Sequence, residues 1–337
     1  MKITALSGGV GGARFLTGVL DALSGDDELT VIANTADDIV LHGLRVSPDV
    51  DTVLYTLGGG IHPEQGWGRA RETFSVAQEL AAYGRGPSWF TLGDRDFATH
   101  IVRTALLGQG YPLHEVVAVL ASRWLDDLPV RLLPMTNADV QTHVIVAGPP
   151  DEPGETMLHF QEWWVGEQAA RPAHRFEFIG IEQATAAPGV LKAIESADVL
   201  LLPPSNPVVS IGPILQVCGI RAALVAAAAP VVGVSPIIGT APVRGMADAC
   251  LRAVGVPSTP DGVAGLYRDF LDGWLVHAAD AEAAGRLAAA DPAPAVHREP
   301  LYMSDPAATA RIATAAMDLA KQLAGGTRRP ARSLIEG

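Results

Sequence analysis

The first dozen residues constrain the fold more than any other part of the chain. A short apolar run, Lys2–Leu6, breaks at Ser7-Gly8-Gly9-Val10-Gly11-Gly12. It passes at once into Phe15, Leu16, Val19, Leu20 and Leu23, spaced as one face of a helix. A second apolar run, Leu29–Ala33, then stops at Asn34-Thr35-Ala36-Asp37-Asp38. Strand, glycine turn, helix and strand form a unit whose natural outcome is a parallel pair with the helix crossing over it. Val199–Leu202 and Val231–Val234 are apolar throughout, as strands covered on both faces must be. Each ends in a serine-proline loop. The expected fold is α/β, a Rossmann-like, mostly parallel sheet flanked by helices.

Around this frame the pattern predicts one domain over residues 1–320. A helical insertion spans about 52–127, and residues 321–337 read as a flexible tail. Val130–Leu133, His143–Ala147 and Phe176–Ile181 read as strands, Pro188–Ser196 as a helix, and the alanine-rich chain beyond Asp280 as helical. No internal repeat is visible. Hydrophobic residues are 48% of the chain and charged residues 18%, which supplies a sizeable core and excludes global disorder. The net charge of −13, with no cluster of Lys and Arg, argues against nucleic acid as a partner. Cys218 and Cys250 are too few for a disulfide framework and read as buried thiols of a reducing compartment. The stretch 222–243 carries no charge, but Pro230, Gly233, Pro236, Gly239 and Pro242 interrupt it too often for a membrane helix. With no apolar run before the first glycines to serve as a signal, the expected location is the cytoplasm.

The chemistry starts at the glycine turn. The dinucleotide fingerprint G-x-G-x-x-G fails because Arg14 stands at the third glycine, and the second strand ends in Asn34 instead of a ribose-binding acid. No Gly-Lys-Ser/Thr closes the turn, so it is not a Walker loop. A glycine turn opening a helix still offers free N–H groups and a positive dipole end to phosphate, although chain reversal alone would also require it. Asp37-Asp38, Asp49 and Asp51, and Asp94 and Asp96 lie in turn-like contexts. Such carboxylates suit magnesium, which takes one or two carboxylates plus phosphate oxygens; Asx-turns and helix caps would use them equally well. Ser205, Asn206 and Ser210, with Ser235 and Ile237, lie in the two loops after apolar strands, where open α/β sheets bind ligands. Phe160, Trp163 and Trp164 could form core or a stacking platform for a planar heterocycle. No H-E-x-x-H and no G-x-S-x-G occurs, which removes the common zinc-protease and serine-hydrolase patterns.

Together these motifs resemble a known family. Ser7–Gly12, Asn34–Asp38, Ser47-Pro48-Asp49-Val50-Asp51-Thr52 and Leu92-Gly93-Asp94-Arg95-Asp96 stand in the order found in 2-phospho-L-lactate transferases. His159–Trp163, Pro204–Pro207 with Ser210, and Ser235–Gly239 continue that order. The alanine content and the Trp163-Trp164 pair resemble the actinobacterial branch, whose donor carries phosphoenolpyruvate. The resemblance implies a magnesium-dependent transfer in coenzyme F-420 biosynthesis. The terminal hydroxyl of the deazaflavin Fo would attack the enolpyruvyl- or lactyl-bearing phosphorus of a guanosine diphosphate-linked donor, releasing GMP, in an enzyme that is a homodimer. Carried onto this sequence, it places donor phosphates at Gly8, Gly9, Gly11 and Gly12 near Asn34 and Thr35. Metal falls to Asp51 with Asp37, Asp38 or Asp49, and Asp51 is alternatively the base; Arg95 steadies the transferred group. Guanosine falls to Ser205, Asn206, Ser210, Ser235 and Ile237, Fo to Asp51, Thr91 and the tryptophans including Trp163, and Asp94 is a further substrate-binding residue. Thr91 stands where archaeal members often carry lysine. Proteins of the gluconeogenesis-factor type, which bind sugar nucleotides as regulators, share the glycine turn and the Asn-Thr-x-Asp-Asp segment and form the competing class.

Overall fold

The computed structural model describes residues 1–87, 89–149 and 154–325. The opening unit forms as expected: β1 (Lys2–Ser7), α1 (Gly9–Ala22) and β2 (Glu28–Ala33), with Lys2 opposite Glu28 and Ser7 opposite Ala33 in parallel register. A short hairpin, β3 (Ile39–Leu41) and β4 (Leu44–Val46), precedes α2 (Pro48–Leu57). Proline at the start of α2 gives up no helical hydrogen bond there. Next come α3 (Ser75–Ala82), α4 (Asp94–Gly108) and α5 (Leu113–Leu125), which together with α2 make up the helical insertion. β5 (Val130–Pro134) then returns to pair with β2.

The following three strands do not extend the parallel sheet. β6 (Gln141–Ala147), β7 (Glu155–His159) and β8 (Ala173–Ile179) make their own antiparallel sheet with β6 in the centre. Val144, Val146 and Leu158 from it share a core with Leu6 and Ile32 of the main sheet. After α6 (Val190–Glu195) come β9 (Val199–Leu202), α7 (Gly212–Gln216), α8 (Ile220–Ala226) and β10 (Val231–Val234). A two-stranded ribbon, β11 (Ile237–Ile238) with β12 (Ala241–Pro242), leads to α9 (Ala247–Ala253) and α10 (Pro260–Gly265). The chain ends in β13 (Gly273–His277), α11 (Ala281–Ala288), β14 (Ala295–Glu299) and α12 (Pro306–Ala324).

The main sheet runs β14-β13-β10-β9-β1-β2-β5, with all seven strands parallel. Period-2 alternation splits its side chains between two cores. Ile3, Ala5, Val31, Val199 and Leu201 pack on the face covered by α12 and α2, whereas Leu6, Ile32, Leu200 and Leu202 pack on the other. The alanine-rich C-terminal stretch is not wholly helical, because β14 interrupts it. α12 carries the helix through residues 321–324 of the expected tail, and residues 326–337 lie outside the described part of the chain. Cys250 is buried as expected but Cys218 is exposed. Among the described residues no helix is long and apolar enough to cross a membrane.

Candidate active site

Successive strands add to one side of β1 as far as β5, and β9 then starts the other side. The sheet therefore has a topological switch point between β1 and β9, which is where open α/β sheets leave a crevice beyond the strands' carboxyl ends. A cavity of about 790 Å³ lies there. Its walls come from Gly8–Gly11 after β1, Asp37 after β2, Pro204–Asn206 after β9, Pro236 after β10 and Leu301–Ser304 after β14. The insertion contributes Pro48, Asp49 and Thr52 of α2, together with Trp67, Trp89, Phe90 and Thr91.

The glycine turn is fastened from two directions. Gly8 donates its N–H to Ser205 Oγ at 3.2 Å, and that hydroxyl donates to the Gly8 carbonyl at 2.7 Å, tying the ends of β1 and β9 together. Gly9 has φ +66°, a left-handed conformation that a side chain would strain, and donates its N–H to Asp49 Oδ1 at 2.8 Å. Asp49 approaches so closely that a Cβ on Gly8 would stand 2.5 Å from its Oδ2. Asn34 reaches the same carboxylate, its Nδ2 donating to Asp49 Oδ2 at 2.9 Å and to the Val209 carbonyl at 3.3 Å. Val10 and Gly11, one step into α1, have no carbonyl four residues back in the helix to bond to, so their amides are the turn's donors for a ligand. Gly12 sits behind, packed on Ser7 and Ser205.

Two acidic groups face this turn. Burial, and secondarily the negative charge of Asp49, hold the Asp37 carboxyl well above the usual carboxylate range, and its Oδ1 is buried without a hydrogen-bond partner. Burial likewise raises Asp49 to about 6 against the opposing hydrogen bonds from Asn34 and Gly9. Asp38 rises to about 6 through burial, offset by Arg45 and Arg103. It lies outside the cavity lining, where Arg45 Nε and Ser47 Oγ donate to its Oδ2 at 3.0 and 2.8 Å.

The four carboxylates expected to share a metal do not all converge. Asp49 and Asp51 are two residues apart on α2, about 200° around a helix, so one side chain reaches the turn and the other faces away. Asp51 is taken up by Arg103, which is fully buried on α4: Nη1 donates to Oδ2 at 3.1 Å and Nη2 closes the pair on Oδ1. Neither Asp51 nor Arg95 lines the cavity, and Arg95 is exposed. Asp94 is occupied at the start of α3, accepting from Thr73 Oγ1 at 2.6 Å and from the Ser75 and Val76 amides. Among the described residues no three His, Cys, Asp or Glu groups converge on one point.

Other expected residues divide in the same way. Thr91, Ser205, Asn206 and Ser210 line the cavity. Thr35, Ser235 and Ile237 are buried beside it; the Ser235 hydroxyl donates to the Ile237 carbonyl, and Pro236 between them forms the wall. Asn206 Oδ1 accepts from the Val208 and Val209 amides, capping the short helical turn Pro207–Ile211. Trp163 is fully buried, donating its Nε1 to the Arg171 carbonyl at 2.8 Å, and its neighbour Trp164 reaches the cavity, stacked on Phe160 at 6.0 Å and 17°. With Trp67, Trp89, Phe90 and Tyr302 these rings give the cavity a large aromatic lining. Arg14 and Arg244 also line the cavity, although no motif in the sequence pointed to them as ligand-binding residues. Spacing alone held a signal for Arg14, since it lies one helical turn beyond Val10 on the same face of α1.

The model of the 2-phospho-L-lactate transferase family, CofD, matches residues 3–305. The chain belongs to this family. It is 57% identical over 331 residues to the phosphoenolpyruvate transferase of Thermobifida fusca, covering 96% of this chain and 99% of that one. It is 50% identical over 335 residues to the phosphoenolpyruvate transferase of Mycolicibacterium smegmatis, covering 95% and 99%. Among solved structures, a UPF0052-family protein from Bacillus halodurans superposes with a TM-score of 0.59 at 16% identity, covering 94% of this chain and 99% of that one. That likeness concerns the fold. The family assignment makes the chain a transferase of coenzyme F-420 biosynthesis.

Proposed function

We propose that this transferase moves a phosphoenolpyruvyl group from a guanosine diphosphate-linked donor to the terminal hydroxyl of the deazaflavin Fo. The observation carrying this reading is that one crevice is lined both by the glycine turn at a helix N-terminus and by several aromatic rings. The Val10 and Gly11 amides at the N-terminus of α1 suit a diphosphate. Trp164, Trp89 and Phe90 suit a planar tricyclic ring. Asn206, whose Nδ2 is spent only on a long 3.4 Å contact with Cys250 Sγ, suits the edge of a purine.

In the reaction the Fo hydroxyl oxygen forms a bond to the phosphorus bearing the enolpyruvyl group. The bond from that phosphorus to the bridging oxygen of the diphosphate breaks, GMP leaves with the electron pair, and the hydroxyl proton passes to solvent. Such transfers need positioning and charge neutralisation more than covalent help. Magnesium fits the residues present. Asp37 and Asp49 are two buried carboxyl groups whose charged forms repel each other, and one carboxyl oxygen is without a partner, a donor set suited to a cation that completes its shell with phosphate oxygens. Bound there, the ion would supply the neutralisation that this lysine-poor crevice lacks. The amides of the turn would orient the diphosphate, and Gly9 and Asn34 would hold Asp49 in place.

The test is mass spectrometry of the product formed from Fo, donor and magnesium. Formation of the enolpyruvyl phosphodiester with release of one GMP is expected; no product under these conditions rejects the reading. The homodimer implied by the family resemblance belongs to the same proposal and is tested by light scattering.

A further inference from the structure

Among the described residues the cavity lining has four charged side chains, Asp37, Asp49, Arg14 and Arg244. The two acids face the glycine turn. Both arginines are exposed, and among the described residues neither is paired with a carboxylate, although the chain carries a net charge of −13. Each guanidinium is instead held by a backbone carbonyl. Arg14 donates to Ser304 in the rim segment after β14, and Arg244 to Gln65 in the turn that crosses the glycine loop. A Cβ on Gly66 would stand 2.8 Å from Val10 Cγ1 and 3.2 Å from Arg244 Nη1, so Arg244 lies beside the first turn of α1. Val10 and Arg14 share one face of that helix. The arginines therefore sit along the α1 side of the crevice, in contact with neutral acceptors that leave their charge uncompensated.

We infer that Arg14 and Arg244 form the subsite for the carboxylate of the group being transferred. The inference rests on the proposed reaction and deepens it by naming what distinguishes the donor from a plain nucleoside diphosphate. The diphosphate already has the Val10 and Gly11 amides and the Asp37–Asp49 side of the crevice. The carboxylate of an enolpyruvyl or lactyl group is the remaining anion, and these two guanidiniums are the cations left in the lining to receive it. Guanidinium matches carboxylate in planar, two-point geometry, which lysine cannot reproduce. Because the contacts of both forks are with backbone carbonyls, a ligand carboxylate has no other carboxylate to displace. A donor lacking the acid group would leave both charges unused, so the pair selects α-phospho acids over neutral phosphate esters.

The experiment measures the affinity of wild type, Arg14→Gln, Arg244→Gln and Arg244→Lys for two probes by titration calorimetry with magnesium present. One probe is GDP; the other is the GDP-linked phospholactyl ester, which carries the carboxylate. Each glutamine variant should keep the wild-type affinity for GDP and lose on the order of tenfold or more for the ester. Arg244→Lys should recover only part of that loss. Equal weakening toward both probes would assign the arginines to phosphate and overturn the inference, as would no change toward either. A wild type that binds neither probe would instead reject the proposed function itself, which keeps the two failures apart.

Discussion

Removing Asp51 should destabilise the protein, and replacing its partner as well should restore most of the loss. Arg103 has no solvent exposure and Asp51 retains 7%; two direct hydrogen bonds join them, and Arg103 Nη1 also reaches His100 Nδ1 at 3.1 Å and the Arg45 carbonyl at 3.4 Å. Asp51→Leu leaves a guanidinium buried without a counter-charge, which costs about 3–5 kcal/mol, whereas replacing both ions with apolar groups of similar volume is often neutral or stabilising. Unfolding entropy of roughly 2.1 cal/mol/K per residue gives a chain of this size about 0.7 kcal/mol/K, so Tm should fall by roughly 4–7 °C. The double variant Asp51→Leu with Arg103→Met should lie within about 2 °C of wild type by the same conversion. Differential scanning calorimetry on the four proteins of the cycle reads this directly. A single variant that melts with wild type but fails only in turnover would refute the argument, and would put Asp51 back in contact with substrate as its sequence context suggests.

Magnesium should raise Tm at pH 7.5 and lose that effect toward pH 5. Asp49 has a folded pKa of about 6 against an ordinary 3.8, so the folded protein holds the extra proton between those values. Its destabilising charge is fully present above pH 6 and disappears as pH falls toward 4, and a cation competes with that same proton; a pH-independent response in thermal melts would exclude Asp49 as a ligand. Gly8→Ala has an ordinary φ of −154° to accommodate but places its methyl 2.5 Å from Asp49 Oδ2 and 2.7 Å from Ser210 Cβ. It should cost about 1–3 kcal/mol of overpacking and weaken GDP binding, and calorimetry finding wild-type affinity would show the turn to be less tightly fitted than described. Trp163→Ala should cost about 3–5 kcal/mol of stability. Trp164→Ala should cost far less and weaken Fo by roughly tenfold, in line with stacking contributions of about 1–3 kcal/mol; fluorescence titration of Fo checks the pair, and the reverse pattern would move Fo away from Trp164.

The parallel frame was legible in the sequence because it depends on local signals that tertiary contacts reinforce. The Lys2–Ser7 strand, the glycine turn and the buried runs at 199–202 and 231–234 are each set by their own residues, and their loops share one edge once the strands run parallel. β14 was missed because its neighbours are alanines of helical spacing, and pairing with β13 overrides that preference. The motifs also located the crevice, since Gly8, Asp37, Asn206 and Ser210 all line it. Sequence could not say which member of a close pair faces inward. Asp49 and Asp51, or Trp163 and Trp164, differ by one or two positions, and a helical turn sends such neighbours to different sides. Which side is the cavity depends on where α2 and the 162–166 turn dock, and that is decided by distant partners: Arg103 drawing Asp51 toward α4, and the Arg171 carbonyl drawing Trp163 into the core. Arg14 and Arg244 meet the crevice for the same reason, brought 230 residues apart in sequence to one wall by the packing of the sheet's two halves.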